Sequence, residues 1–398
     1  MHKELLRAVF RSIKGGPFAV TYWDGSTEFY GAENGTEPPV RLIINEKINL
    51  RDMLDQPEIR FGEAYMDKVI DLDGDAKAFL KLLIQNEEIF KKDSKSKGLL
   101  HRFMDCQKTA STEKQKEDIR DHYDLGNEFF KLWLDQTMSY SSAYFKTPDD
   151  SLEQAQLQKI DHILQKMQLK EGESLLDIGC GWGWLIIKAA KEYGVNALGI
   201  TLSNEQEEEV KKRIKEEGVS GKVEVRQADY RDLAFEGKTF DKISSVGMFE
   251  HVGAEYIPAY FSCLKKMLKM GGLSLLHAMT RPTEVPVNPW VEKYIFPSMY
   301  IPSLREIMWV MPEHSFHVID VESLRLHYAR TTELWANNLD KVADQIKAKC
   351  SERFVRMWRL YLLGCSASFS CSGLDIHQVL FSKGLCNNLP LTREYLHK

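Results

Sequence analysis

The run Ser174-Leu-Leu-Asp-Ile-Gly-Cys-Gly-Trp-Gly183 reads as an apolar strand that ends in a glycine-rich turn and opens into a helix. A turn of that kind lets a ligand approach bare backbone closely. Its spacing, Gly179-Cys-Gly181-Trp-Gly183, is not the dinucleotide fingerprint, which leaves two residues before its third glycine. That fingerprint also expects an acid about 20 residues on to hold a ribose, whereas the second strand, Asn196-Ala-Leu-Gly-Ile-Thr201, ends in threonine. A nucleoside ligand lacking a pyrophosphate fits instead, and S-adenosylmethionine answers that description. Two further segments carry reactive side chains. Between His122 and Phe145, Tyr140, Ser141 and Ser142 set hydroxyls in a row that suits the carboxylate of an amino-acid ligand, while Phe129, Phe130 and Trp133 read as core. In Ser244-Ser-Val-Gly-Met-Phe-Glu-His-Val-Gly253, after a buried strand, Glu250 suits chemistry and His251 a helix-start or core role. His277, at the end of the fifth strand, has the same topological claim on the site.

These residues need a scaffold. From about 150 the pattern alternates: helix 151–168, strand 174–178, helix 183–193, strand 195–200, helix 204–217, strands 222–227 and 239–245, helix 255–269 and strand 272–278. Alternation of this sort implies a parallel sheet with right-handed crossovers, binding its ligand beyond the carboxyl ends of the strands. A Pro-rich stretch (Pro282 to Pro302) reads as an insertion over the site mouth. A strand near 316–326, helices 332–348 and 351–367 and a strand 375–381 complete the unit. The amino-terminal part reads as a small α+β domain over 1–90: an amphipathic helix at 4–13, a hairpin about Asp24-Gly25, strands near 40–45 and 62–72, and a helix near 75–92. A basic segment follows, so the expected division is 1–90, a linker over 91–117 and a catalytic domain over 118–398. Within the linker, residues 91–103 read either as a solvated connector or as a surface that meets anionic lipid heads.

The chain has 398 residues, 43% of them hydrophobic, and a net charge of −5, which excludes a disordered chain and offers nothing to nucleic acid. Seven cysteines, odd in number and without a Cys-x-x-Cys pair, argue for reduced thiols and against a disulfide framework or structural zinc. No segment reads as a secretory signal or a membrane span.

The His122–Phe145 and Val246–Gly253 segments, together with Asn288-Pro-Trp-Val-Glu-Lys-Tyr-Ile-Phe-Pro297 and the hairpin-bearing amino terminus, resemble the cyclopropane-fatty-acyl-phospholipid synthases, which are related to the mycolic-acid cyclopropane synthases. The glycine turn alone indicates only a class I methyltransferase fold, a Rossmann-like α/β sheet with helices on both faces. The resemblance implies S-adenosylmethionine bound by Tyr140, Ser141, Asp177, Gly179, Gly181, Gly183, Thr201, Gln206, Asp229 and Tyr230, leaving S-adenosylhomocysteine as product. Thr201 and Gln206 would hold the ribose, and either Asp229 or Tyr230 the adenine. It further implies a bicarbonate ion on Glu250, His277, the Met279 backbone and Tyr328, with Ser142 where many relatives carry cysteine, and a further active-site cysteine at Cys365. The implied reaction transfers a methylene to the cis double bond of unsaturated phospholipid acyl chains at a membrane surface, through a carbocation that bicarbonate helps deprotonate. A homodimer, cytoplasmic and peripheral at the inner membrane face, goes with it. A C- or N-methyltransferase acting on another lipid or small molecule shares the donor half of such a site. A catalytically silent lipid-binding module shares only the fold.

Overall fold

The computed structural model describes residues 2–31, 38–90 and 126–396, and among these no helix is long and apolar enough to cross a membrane. The basic stretch expected as a linker over 91–117 lies outside the described residues. The described chain divides into two compact units, one of residues 2–90 with Asn288–Ile295 and Thr332–Gly373, the other of residues 126–287 with Phe296–Thr331 and the stretch from Leu374 on.

The first unit holds a four-stranded sheet ordered β2-β1-β3-β4, with β1 Phe18–Thr21, β2 Thr27–Tyr30, β3 Val40–Ile44 and β4 Ile70–Gly74. The expected hairpin forms about Asp24-Gly25, with Phe18 opposite Tyr30. The helix His2–Ser12 buries Leu6 and Phe10, and Phe10 stacks edge-on against Phe18 at 6.0 Å. The apolar stripe of this helix therefore packs on its own unit. Residues 62–66, expected as strand, finish the helix Pro57–Met66, which Pro57 opens in the first turn where its missing N–H costs nothing.

The helix Glu352–Cys371, expected within a catalytic domain over 118–398, groups with the first unit, where it packs on Ala76–Gln85 and Pro57–Met66. Arg356 is the fastening: its guanidinium lies 4.0 Å over the Tyr65 ring and donates to the Tyr65 and Ile70 carbonyls at 2.5 and 3.0 Å. Sequence periodicity cannot reveal which layer an amphipathic helix joins.

The second unit is built on a seven-stranded sheet ordered β10-β11-β9-β8-β5-β6-β7. Its strands are β5 Ser174–Ile178, β6 Asn196–Thr201, β7 Val223–Gln227, β8 Phe240–Val246, β9 Leu268–Thr280, β10 Phe316–Ser323 and β11 Asp375–Lys383. β5 to β9 run parallel where they pair, and β11 and β10 close the edge antiparallel. Alternate residues serve opposite layers: Leu176 and Ile178 join a core with Phe261 and Ile307, while Leu175 joins Ile163 and Ile186 on the other side. Burial on both faces is why β5 reads as a continuous apolar run. The chain order reverses between β5 and its neighbours β6 and β8, which opens a crevice at their carboxyl ends.

Two expectations shift here. The strand near 316–326 stops at Ser323, and the helix expected at 332 already starts at Arg325. The Pro-rich insertion contains the helix Pro289–Tyr294, and the helix Leu304–Glu313, opened by a capping box between Ser303 and Glu306, follows it.

Replacing Arg356 with lysine keeps the charge but loses the planar fork that reaches two carbonyls and a ring. The expected cost is about 1–2 kcal/mol, read as roughly ten-fold faster hydrogen exchange at the β4 amides; unchanged exchange there would show that Arg356 fastens nothing.

Candidate active site

The crevice is a cleft of about 1230 Å³, a figure that includes its space open to solvent. Tyr140, Ser141, Asp177, Gly179, Gly181, Gly183, Thr201, Gln206, Asp229 and Tyr230 all line it, so the structure gathers every residue expected to bind the donor into one wall. The turn after β5 is shaped for close approach. A Cβ on Gly183, at φ +86°, would lie 2.7 Å from Val210 Cγ1, whereas one on Gly181, at φ +53°, would meet nothing within 4 Å. Gly183 thus seats the following helix Trp184–Tyr193 on its neighbour, and Gly181 presents backbone to the cleft.

Polar groups inside the cleft are pre-arranged. Thr201 Oγ1 donates to Gln206 Oε1 at 2.6 Å and accepts from the Ser203 amide at 3.1 Å, which holds the pair together at the end of β6. Asp229 caps the helix Tyr230–Leu233 and pairs with the Arg231 guanidinium at 2.6 Å, so its carboxylate is already engaged. Asp177 accepts from Ser244 Oγ at 2.7 Å, and burial raises its carboxyl to about 6. His251 also lines the cleft, and burial pushes its imidazole down to about 4.

A second group of side chains gathers at the carboxyl ends of β8 and β9, outside that wall. Glu250 sits in the short turn Phe249–His251 with its Oε1 accepting from the Met279 amide at 2.6 Å. Met279 faces Ile376 in the β9–β11 pair, and the Ile376 carbonyl accepts from the Leu324 amide at 2.7 Å, just before the helix Arg325–Lys341 that carries Tyr328. Ala143, next to Ser142, donates its amide to Thr331 Oγ1 at 3.0 Å, and Thr331 shares a helix face with Tyr328. Glu250, His277, Met279, Tyr328 and Ser142 are thereby tied to one end of the sheet, all of them buried except Met279. One expectation changes: the Met279 amide is taken by Glu250, so it positions the carboxylate. Cys365 belongs to the first unit, on Glu352–Cys371, where burial pushes its thiol up to about 12 and keeps it protonated at neutral pH.

Two polar atoms in this group are fully buried without a hydrogen-bond partner among the described residues: Glu250 Oε2 and His277 Nε2. Orphans of this kind are costly and rare in folded proteins. Burial raises the Glu250 carboxyl to about 7, against the pull of the Met279 amide, and holds His277 well below the usual imidazole range.

The helix Leu152–Lys166 carries residues that sequence reasoning missed. Lys159 is buried, lines the cleft and donates to Ser141 Oγ at 3.1 Å. Gln156 holds the Ser139 and Ser141 carbonyls at 3.3 and 3.0 Å. The signal was present as polar residues at 156, 159, 162 and 166, spaced for one helix face and interleaved with the apolar face that must be buried.

Residues 110–379 match the mycolic acid cyclopropane synthetase family, and residues 5–95 match a domain family of unknown function. The chain is 38% identical to a probable fatty acid methyltransferase of Pseudomonas putida, over 96% of each chain. It is 36% identical to the cyclopropane-fatty-acyl-phospholipid synthase of Escherichia coli K12, over 91% of this chain and 92% of that one. Among solved structures, mycolic acid cyclopropane synthase CmaA1 complexed with SAH and CTAB superposes with a TM-score of 0.64 at 33% identity, covering 67% of this chain and 98% of that one.

Gly181→Ala should retain most stability, at about 1–2 kcal/mol of left-handed strain, yet weaken S-adenosylmethionine binding measured by calorimetry. Gly183→Ala should lower the unfolding midpoint further, through Val210; equal stability for the two variants would contradict the packing. Burial pushes Lys159 down to about 8, from 10.5 in the unfolded chain, so between those values the unfolded state binds more protons and stability rises with pH. Wild type should accordingly gain unfolding free energy relative to Lys159→Met between pH 8 and 10.5, and parallel pH profiles would refute the buried charge.

Proposed function

The chain belongs to the mycolic acid cyclopropane synthetase family and is an S-adenosylmethionine-dependent transferase of the class I methyltransferase fold, and from that premise we propose that it transfers a methylene to the cis double bond of unsaturated phospholipid acyl chains. The observation that carries the proposal is the pair of unpartnered buried atoms, Glu250 Oε2 and His277 Nε2, at the sheet end beside the donor cleft. They suit a small oxyanion bearing one hydroxyl, and bicarbonate is such an ion. Bound there, the donor supplies an electrophilic methyl and bicarbonate a base for the proton lost on ring closure.

The chain's own residues do the rest by position. Ser141, held by Lys159 and Gln156, and Tyr140 beside it take the methionyl end of the donor, the Thr201–Gln206 pair takes the ribose, and the Gly179–Gly183 turn with Asp177 supports the tail. With the Asp229 carboxylate engaged by Arg231, the Tyr230 side is the better adenine contact. An alkene is a weak nucleophile, so alignment and exclusion of water are the main contributions open to the protein. Full burial of Ser142 and near-full burial of Tyr328 serve that exclusion. The Tyr328 ring also suits a transient cation, worth about 0.5–2 kcal/mol for one aromatic face. Glu250 Oε2 accepts the hydroxyl of the oxyanion, with Met279 fixing the carboxylate from its other oxygen. His277 Nε2 and a Ser142 amide complete the cradle as donors. With this acceptor goes a peripheral enzyme at the cytoplasmic membrane face, dimeric as the resemblance implies.

The likeness to a probable fatty acid methyltransferase favours a second outcome, in which a hydride from a reduced nicotinamide or flavin supplied to the reaction quenches the cation to a saturated branched chain. Mass analysis of acyl chains after incubation with unsaturated phospholipid vesicles separates the two. One added methylene with the count of rings plus double bonds preserved supports ring formation; a saturated branched chain overturns it. Glu250→Gln should leave donor affinity within about two-fold while ring formation falls at least 100-fold, within the range for a positioned acid–base group. Wild-type turnover in that variant would remove Glu250 from the mechanism.

A further inference from the structure

His277 is wired to a buried charge two side chains away. It faces Gln378 directly in the β9–β11 register, and Gln378 Nε2 lies 3.2 Å from His277 Nδ1. On its far side, Gln378 Oε1 accepts from Lys166 Nζ at 2.8 Å. Lys166 also pairs with the Glu322 carboxylate and lies 4.0 Å from Asp320 Oδ2. Glu322 is bonded in addition to His162 Nε2 at 2.6 Å. His277 and Gln378 are wholly buried and Lys166 is 1% exposed, so water cannot substitute for any of these three, whereas the Glu322 side chain is 20% exposed. Burial opposes it, yet His162 and Lys166 hold the Glu322 carboxyl down to about 2, which keeps an anion beside the lysine.

The chemistry of the groups fixes every proton along this line. An ammonium has three donors and no acceptor. Facing it, the Gln378 amide must present its oxygen, since the reverse orientation sets donor against donor in a dry interior. The amide nitrogen then donates to His277 Nδ1, which must accept. Burial, reinforced by the cations at Lys159 and Lys166, disfavours the imidazolium. A neutral imidazole carries one N–H, and with Nδ1 accepting, that hydrogen sits on Nε2, the unpartnered atom.

We propose that Lys166, acting through Gln378, is a positioning residue that locks His277 as the Nε2–H tautomer, so that this side chain offers the site a hydrogen-bond donor and never an acceptor or a base. The use made of that donor rests on the oxyanion reading above, whereas the tautomer itself does not. A ligand seated there must present an oxygen lone pair to His277. Proton acceptance falls to other groups.

Full-length protein labelled with 15N-histidine, studied by long-range proton–nitrogen correlation at pH 7, reads the tautomer directly, with the His277 signal identified by its loss in His277→Asn. The expected wild-type spectrum shows hydrogen on Nε2 and none on Nδ1. Hydrogen on Nδ1, or on both nitrogens, overturns the proposal. Lys166→Met frees the amide to turn, and the Nδ1–H form should rise from under about a tenth to a comparable share; a folded variant that remains purely Nε2–H removes Lys166 from the role. Gln378→Glu sets a carboxylate against Nδ1 and should draw the hydrogen there, lowering kcat at least ten-fold with KM for S-adenosylmethionine within two-fold. Equal losses in kcat and in donor affinity would mark a general structural defect and count against positioning. If Lys166→Met does not fold, the wild-type spectrum and the Gln378→Glu kinetics decide. Should the tautomer stand while no ring product forms from any unsaturated lipid, the function proposed above fails and this inference survives.

Discussion

The placement of β9 between a parallel and an antiparallel neighbour is the constraint on which the site depends. Its register with β8 sets His277 against Val246, where the chain leaves the sheet toward Glu250. Its register with β11 sets the same His277 against Gln378 and Met279 against Ile376. The Met279 amide then closes the loop on the Glu250 carboxylate, and the Gly247 amide donates to the His277 carbonyl at 2.8 Å. Because the side-chain period of a strand is two, a slip of one residue would turn His277 to the other face and hand Gln378 a different partner. Reactive side chains from separate elements can be held this tightly only because the ladder that orders them is the centre of the fold.

The two halves of the site solve different physical problems. Toward the cleft the sheet ends in backbone and short polar side chains, Gly181, Ser141 and the Thr201–Gln206 pair, which suit a ligand that is polar along its length. At the carboxyl ends of β8 and β9, burial dominates: it raises Glu250 to about 7, leaves Oε2 of that carboxylate and Nε2 of His277 without partners among the described residues, and excludes water from Ser142. Desolvation strengthens every interaction a charged species would make there. A carboxylate poised near neutrality can share a proton with an acidic oxyanion, where a solvated one would repel it.

Much of the layout was legible in the sequence. The strand Ser174–Ile178 and its glycines announce themselves by an apolar run cut short by residues that tolerate positive φ, and the Asp24-Gly25 turn does the same for the hairpin. Glu250 and His277 were readable as candidates because the alternating pattern sets one just after a strand and the other near the carboxyl end of its neighbour, and that topology fixes which strand ends share a crevice. Three things were hidden. Residues 62–66, Gly-Glu-Ala-Tyr-Met, include the helix formers Glu63, Ala64 and Met66, and they finish a helix that packs on Glu352–Cys371, a contact about 290 positions away in the chain. The same long-range contact places Glu352–Cys371 in the first unit. Gln378 looked like an ordinary strand residue, since only its cross-strand partner gives its amide a role.

The helix Leu152–Lys166 shows why the polar residues that escaped notice are nonetheless specified. Burying Gln156, Lys159, His162 and Lys166 on one face is unfavourable for stability on its own, since apolar residues of similar size usually pack there at no loss. Each is offset by a partner that does something else: Gln156 and Lys159 hold the Ser139–Ser141 backbone and hydroxyl at the cleft, while His162 and Lys166 gather Glu322 and orient Gln378 beneath His277. Lys159 and Lys166 are seven residues apart, two turns on one face, or about 10 Å of rise. One rigid rod therefore sets the spacing between the end of the cleft at Ser141 and the donor atom of His277. A loop could supply the same charges, but it could not hold that distance while ligands come and go.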